Sequence, residues 1–565
     1  MTTQDIINQA LSFHKQGDLD RAASLYRTVL DGDPKALTAL HMLGVIDRDA
    51  GRTKEAISLL SSAHEVAPKN AEVCFDLGLV LLQTGQQKVA VEALSLAVNL
   101  NPDQAAGWHH LGRLHRKQCE PEKAEQCFQK SYELTAGNPA SVIELAKAEA
   151  VLGKFEDARS RLEVLLAAEA DNPDYLAVFA QILWQSGDLD GALVAINRAI
   201  EIKGGNRKYY FVLLGMLEEK ADDEKIAKLY EEMGQRWPDD YLVQRNQAEH
   251  YFARCKYDEA WQLYRHSHRR LGSNGRNLKT EVPGWAGEPI EGRRLVLTMD
   301  QGLGEQLLFL RFIPEIAAKA DVLAVELDRR LIAFAQRSLP EVHFVPRVKP
   351  THPDVLDDSA DFHGVLGDFG QVLRKSADDF SKSPPKLTAD PDKVAYWNKR
   401  IRAAAGSDPV IGLSHASEKS IMAMEKSIGL SQLNGLSAFD GVKFLNLQYG
   451  DSRERLNEWA DDIGIPLLDF PETDPTKDID DHAALIKATD LVVSVSTATA
   501  HFSAAMGHPT WVLLPYAQAH FLYWSGGEET SIWYPTVTTL TPKPGEGWQF
   551  VIDRLADAIQ TLKKP

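Results

Sequence analysis

The stretch LVLTMDQGLGEQLLFLRFIP, residues 295–314, is where the chain changes character. Its first five residues, Leu295 to Met299, are a continuous apolar run of the length of a buried β-strand. Gly302 and Gly304 then supply a turn, and Leu307, Leu308, Leu310 and Phe312 give the apolar face of a helix. A strand that breaks at glycines into a helix gathers free backbone N–H groups and a positive helix end at one point, which suits an anion. The stretch opens an α/β region, and what lies upstream of it is built on a different plan.

Upstream, the chain repeats itself. Gly17, Gly51, Gly85, Gly153 and Gly187 stand on a lattice of 34 residues, with Cys119 in the one place that lacks glycine. Five residues further on come Ala22, Ala56, Ala90, Ala124, Ala158 and Ala192. Leu43-Gly44, Leu77-Gly78 and Leu111-Gly112 precede the lattice position, and Pro34, Pro68 and Pro102 close three of the units. Small residues at fixed spacing let two antiparallel helices approach, and glycine or proline ends each helix. About eight helix–turn–helix units are expected over residues 1–270. Asp18-Leu19-Asp20 and Asp188-Leu189-Asp190 fall in the same inter-helix turn of the period, so they are read as turn residues and not as a metal site. Cys74, Cys119, Cys127 and Cys255 are expected in helix interiors as buried small residues of a reducing compartment.

Downstream, residues 271–290 are rich in glycine and proline and read as a linker. Strand and helix patterns then alternate over 291–385, a second linker is expected at 386–408, and the alternation restarts over 409–565. Alternation of this kind indicates parallel sheets, here in two halves, with ligands at the carboxyl ends of the strands. At 565 residues several compact units are expected. The net charge of −18 argues against a general nucleic-acid binder, which needs a basic face. Met1 to Ile6 shows neither a basic run nor an apolar core, so no leader is expected; no run of about 18 apolar residues suggests a membrane span. A cytoplasmic location is expected.

The chemistry is sought at strand ends. Strand Leu491 to Val495 runs into Ser496, Thr497, Thr499 and His501, a group of hydroxyls and an imidazole at a helix start that suits a phosphate or diphosphate. The other reading open to the same residues is helix capping by the hydroxyls and packing of His501.

These segments, together with Phe444 to Asp451 and Trp533-Tyr534-Pro535, resemble the GT-B glycosyltransferases related to the bacterial heptosyltransferases. The first half looks like the tetratricopeptide repeat. The overall plan is similar to the repeat-bearing glycosyltransferases that modify flagellin in the bacterial cytoplasm. The resemblance implies an α superhelix of tetratricopeptide repeats followed by an α/β GT-B domain of two Rossmann-like halves: an acceptor side (291–385) and a donor side (409–565). It also implies specific residues. Glu305 takes the place of the family's turn carboxylate and is a candidate general base, with Asp300 a competitor. Gly302 and Gly304 line the turn and are candidate donor-binding residues. On the donor side, Lys426 and then Lys419 are candidate phosphate partners, Gln448 and Tyr449 lie near the nucleotide base, and Ser496, Thr497, Thr499 and His501 meet the diphosphate or phosphate. Ser496 stands where the family usually has Asp.

No Asp-X-Asp sits at a strand end of this half, and Asp478-Ile479-Asp480 reads as a helix cap, so transfer without metal or other cofactor is expected. The function so implied is a protein O-glycosyltransferase. Its donor is a nucleotide sugar, the CMP form of a nonulosonic acid such as pseudaminic acid; its acceptor is Ser or Thr of a polypeptide, flagellin, held by the repeats. The alternatives are transfer to a lipid-linked or surface saccharide, and a non-catalytic repeat adaptor with a degenerate transferase domain.

Overall fold

The computed structural model describes residues 2–562 except 119, 221, 271–277, 279, 300–301, 382–386, 418–426, 515–521, 525–528 and 542–548. The chain divides into two compact units, Met1–Ser186 and Gly187–Pro565.

The first unit is helical among its described residues, with eleven helices from Thr3–Lys15 to Pro173–Gln185. Its physics is that of the lattice. Gly17, Gly51, Gly85 and Gly153 all end a helix at positive φ, 73 to 80°, where a side chain would be strained. The lattice alanines at 22, 56, 90, 124 and 158 are fully buried. Gly44, Gly78 and Gly112 let successive helices touch: a Cβ on Gly78 would stand 2.6 Å from Leu94 Cγ. Asp18 accepts from the Arg21 amide as a helix N-cap.

The second unit begins with five helices of the same repeat, ending in Tyr241–Ala253 and Tyr257–Arg270. Asp188 caps the first of these five by accepting from the Gly191 amide, as Asp18 does in the first unit. Cys255 departs from expectation: it is exposed, in the turn between the last two helices, with φ +58° at the lattice position usually held by glycine. Cys74 and Cys127 are buried as expected, and Cys119 lies outside the described residues.

Two parallel sheets follow in the same unit. The first holds β1 (Arg294–Thr298), β2 (Asp321–Leu327), β3 (Phe344–Pro346) and β4 (Phe362–Val365) in the order β3-β2-β1-β4. The second holds β5 (Val410–Ser414), β6 (Lys443–Asn446), β7 (Leu467–Leu468), β8 (Leu491–Val495), β9 (Thr510–Leu513) and β10 (Val537–Leu540). Its order is β10-β9-β8-β5-β6-β7. Counted from its own first strand this is the doubly wound order, with the direction of winding reversing between β5 and β8. In the first sheet the reversal falls between β1 and β4. The fold class read from the sequence is therefore observed as tetratricopeptide-type helical repeats and an α/β region of parallel sheets.

Three expectations are corrected. Residues 386–408 are not a linker: helix Pro391–Ala405 occupies them, begun by Asp390 as N-cap and Pro391 at its first turn. Gly304 is not in a turn but inside helix Leu303–Leu310. The last repeat is not set apart from the sheets, as a linker at 271–290 would leave it. Ala248, Phe252, Tyr257, Trp261 and Tyr264 share one core with Trp285, Leu297, Leu308, Phe309, Phe369 and Trp533. Trp261 donates from Nε1 to the Arg374 carbonyl at 2.8 Å, and its ring fills the space where Gly370 has no side chain. The last repeat is part of the α/β body.

Candidate functional site

In a doubly wound sheet the ligand crevice lies beyond the carboxyl ends of the strands where the winding reverses. For the first sheet those ends lead into helix Leu303–Leu310 after β1 and the 3-10 turn Leu366–Phe369 after β4. For the second they lead into residues 415–417 after β5 and helix Ala498–Ala505 after β8. Helix Leu303–Leu310 packs on helix Ala498–Ala505. A Cβ on Gly304 would stand 2.4 Å from His501 Cδ2, so the two helices touch at this pair. Neither helix start is capped by a side chain: Gly302 has none to offer, and Thr497 occupies the N-cap position without making a capping bond. Two positive helix ends therefore stand at the reversal points, where the rule for doubly wound sheets puts a ligand.

The expected hydroxyl caps are engaged elsewhere. Thr497 Oγ1 pairs with Ser494 Oγ at 3.0 Å, Ser496 Oγ accepts from Trp524 Nε1 at 2.9 Å, and Thr499 Oγ1 pairs with His482 Nε2 at 3.1 Å. All three residues are buried, as is His501. His501 Nδ1 lies 3.0 Å from the Tyr534 hydroxyl, and its ring packs against Tyr523 and Trp524. The side chains read as donor ligands thus bind protein partners in this structure; an anion would meet the helix backbone.

Gln448 is engaged in the same way. Its Oε1 accepts from Ser414 Oγ and from the amides of His415 and Ala416 at 3.0 to 3.1 Å. Its Nε2 donates to the carbonyls of Ala416 and Tyr449. An amide has two donors and one acceptor oxygen, so this side chain is saturated and acts as a clamp between the ends of β5 and β6. Tyr449 follows it in the loop and is half-buried. Asp300, Lys419 and Lys426 lie outside the described residues.

Glu305 stands in the first turn of helix Leu303–Leu310, where the dipole favours a carboxylate. It has a partner that sequence reading did not find. Arg245 Nη2, from repeat helix Tyr241–Ala253, donates to Glu305 Oε1 at 3.2 Å, and Arg245 Nε donates to Glu249 at 3.2 Å. Burial alone would lower the Arg245 pKa; the Glu305 and Glu249 carboxylates outweigh it and hold the guanidinium well above its ordinary value. Tyr264 from the last repeat helix and Tyr523 from the segment after β9 complete the surroundings. Both phenols are raised well above their ordinary range, first by burial and then by the Glu305 charge. Asp368, in the turn after β4, adds to the effect on Tyr264. The site holds a carboxylate, a guanidinium between two acids, an imidazole and two buried phenols. Its carboxylate stands in the first turn of a helix, where the dipole favours an anion. Arg245, on the penultimate repeat helix, carries no local signal in the sequence.

Comparison with known proteins agrees with the helical part of this description. Models of the tetratricopeptide repeat match residues 7–71, 47–114, 115–182 and 153–215. Protein FlbA of Caulobacter vibrioides is 27% identical over 482 residues, 80% of this chain and 77% of that one. An alignment of 482 residues is longer than the repeats and extends into the α/β region. Among solved structures, a tetratricopeptide repeat protein from Parabacteroides merdae is 16% identical, with a TM-score of 0.35, covering 47% of this chain and 98% of its own. MamA is 25% identical, with a TM-score of 0.27, covering 28% and 94%.

Proposed function

We propose that this chain is a protein O-glycosyltransferase of GT-B type, transferring a sugar from a nucleotide sugar to Ser or Thr of a polypeptide. The observation that carries the reading is the contact at Gly304 and His501. It joins the helices that follow the reversal-point strands of the two sheets, each starting without a side-chain cap. A crevice so built offers a carboxylate on one side and a positive helix end on the other. In the proposed reaction Glu305 accepts the proton of the acceptor hydroxyl. The oxygen attacks the anomeric carbon, the bond from that carbon to the phosphate oxygen breaks, and the nucleotide phosphate leaves toward the start of helix Ala498–Ala505. The repeats are a protein-binding scaffold and supply the polypeptide. The donor is a CMP-activated nonulosonic acid such as pseudaminic acid and the acceptor is flagellin, both following from the family resemblance. No resident metal enters the scheme: Asp478 accepts from the Asp481 amide as a helix cap.

One observation favours the adaptor alternative. Ser496, Thr497, Thr499 and Gln448, four positions of the donor side, spend their polar atoms on the protein itself. The experiment that separates the readings is intact-mass spectrometry of flagellin from cells with and without this chain. A transferase predicts loss of a discrete sugar mass in its absence. An adaptor with no role in modification predicts equal masses.

A further inference from the structure

Arg245 lies outside the α/β region in sequence, 60 residues before the carboxylate it binds. It belongs to the same compact unit, because that unit begins at Gly187. Three features make the pair more than a surface ion bridge. Both side chains are largely enclosed, with 21% of Arg245 and 14% of Glu305 exposed. Arg245 is anchored from its own helix by Glu249 four residues on, so its fork is fixed before it reaches Glu305. And its helix cannot shift independently of the sheets, since Phe252 and Trp261 of the last repeat pack into their core.

We infer that Arg245 is a positioning residue supplied by the repeats, which fixes the Glu305 carboxylate at the start of helix Leu303–Leu310 for the transfer reaction. The inference rests on the transferase reading and deepens it: the last repeat is a wall of the site as well as the end of a recruiting array. Glu305 sits on the helix turn that opens with Gly302, which brings no side chain of its own to hold it. Without the guanidinium, Glu305 would sample several rotamers, and a base must stand within hydrogen-bond reach of its proton.

Two measurements on the full chain test this, using Arg245→Gln, Arg245→Lys and Glu305→Gln. Hydrogen–deuterium exchange of residues 303–310 reads positioning and needs no substrate. The modified fraction of flagellin in cells carrying each variant reads the reaction. Arg245→Gln is expected to exchange faster over 303–310 by about tenfold, as a locally released helix end does. It should lower modification about 100-fold, the scale of a displaced general base. Arg245→Lys, which keeps the charge and loses the fork, should recover part of both. Arg245→Gln combined with Glu305→Gln should be no worse than Glu305→Gln alone, because the two act as one unit. Unchanged exchange over 303–310 in Arg245→Gln overturns the inference. So does wild-type modification by Arg245→Gln, or a folded Arg245→Lys that recovers neither readout. Equal flagellin masses with and without the wild-type chain are a different result: they defeat the transferase reading, and the inference about its site falls with it.

Discussion

A methyl group on Gly304 would lie 2.4 Å from His501 Cδ2 and 3.0 Å from Nε2, so the helix after β1 and the helix after β8 meet only because residue 304 has no side chain. His501 cannot give way easily, since Tyr523, Trp524 and Tyr534 enclose its ring. The contact ties the two sheets together at the place where the crevice is proposed.

Gly304→Ala is therefore expected to push the two helices apart and to lower flagellin modification severely. The cost in stability should be about 1–3 kcal/mol, the range for a methyl forced into a filled space. His501→Ala in the same chain opens that space and should return most of the lost stability. Denaturant unfolding of the single and double variants measures the coupling. Independent, additive effects would show that the two residues do not oppose each other.

Trp261 makes a prediction about the repeats. It is buried, it donates to the Arg374 carbonyl, and its ring occupies the space over Gly370. Trp261→Ala should destabilise the unit from Gly187 onward by about 3–5 kcal/mol, as expected for a large buried aromatic. Trp261→Phe keeps most of the apolar contact and loses the bond, so about 1 kcal/mol is expected. If the last repeat were only tethered to the sheets, Trp261→Ala would leave sheet unfolding unchanged.

Acid should weaken the second sheet before its carboxylates titrate. Burial pushes His415, His482 and His508 down to about 4 from an ordinary 6.5. Between pH 6.5 and 4 the unfolded chain binds protons at these rings and the folded one does not. Stability is then complete above that window and falls as pH drops through it. Each ring contributes a slope of up to about 1.4 kcal/mol per pH unit. Thermal unfolding followed from pH 8 to 4 should show the fall, and His508→Gln should make it shallower. A flat profile to pH 5 would contradict the burial of these rings.

The helical half was legible because its physics is local and periodic. The glycine that ends a helix at positive φ and the alanine that lets two helices touch recur at one spacing, so each supports the reading of the next. The positions of most strands were legible for a similar reason, since buried parallel strands are apolar runs; their order in the sheets was not. β4, β7 and β10 offer no such run: Phe362-His363-Gly364-Val365 is short and carries a histidine and a glycine, β7 is only Leu467-Leu468, and Val537-Thr538-Thr539-Leu540 is half threonine. Residues 386–408 hold a helix where a linker is expected, because an Asp-Pro pair such as Asp390-Pro391 reads equally as a break and as a helix start. The candidate site was legible at Glu305 and His501, whose neighbours in sequence form strand–helix turns. It was not legible at Arg245, Tyr264, Tyr523 or Asp368. These arrive from four separate elements through tertiary packing, and nothing in their own segments marks them. Nor could sequence show that Gln448 would spend its amide on the loop after β5.

Transfer itself is tested most directly by a reaction of the purified full chain with purified, unmodified flagellin and a CMP-activated nonulosonic acid, followed by intact-mass spectrometry. A transferase of this kind gives a mass gain of one or more whole sugar residues on flagellin, with CMP released, and the gain is lost in Glu305→Gln. Flagellin of unchanged mass with this donor and with a panel of UDP-, GDP- and ADP-sugars would contradict it.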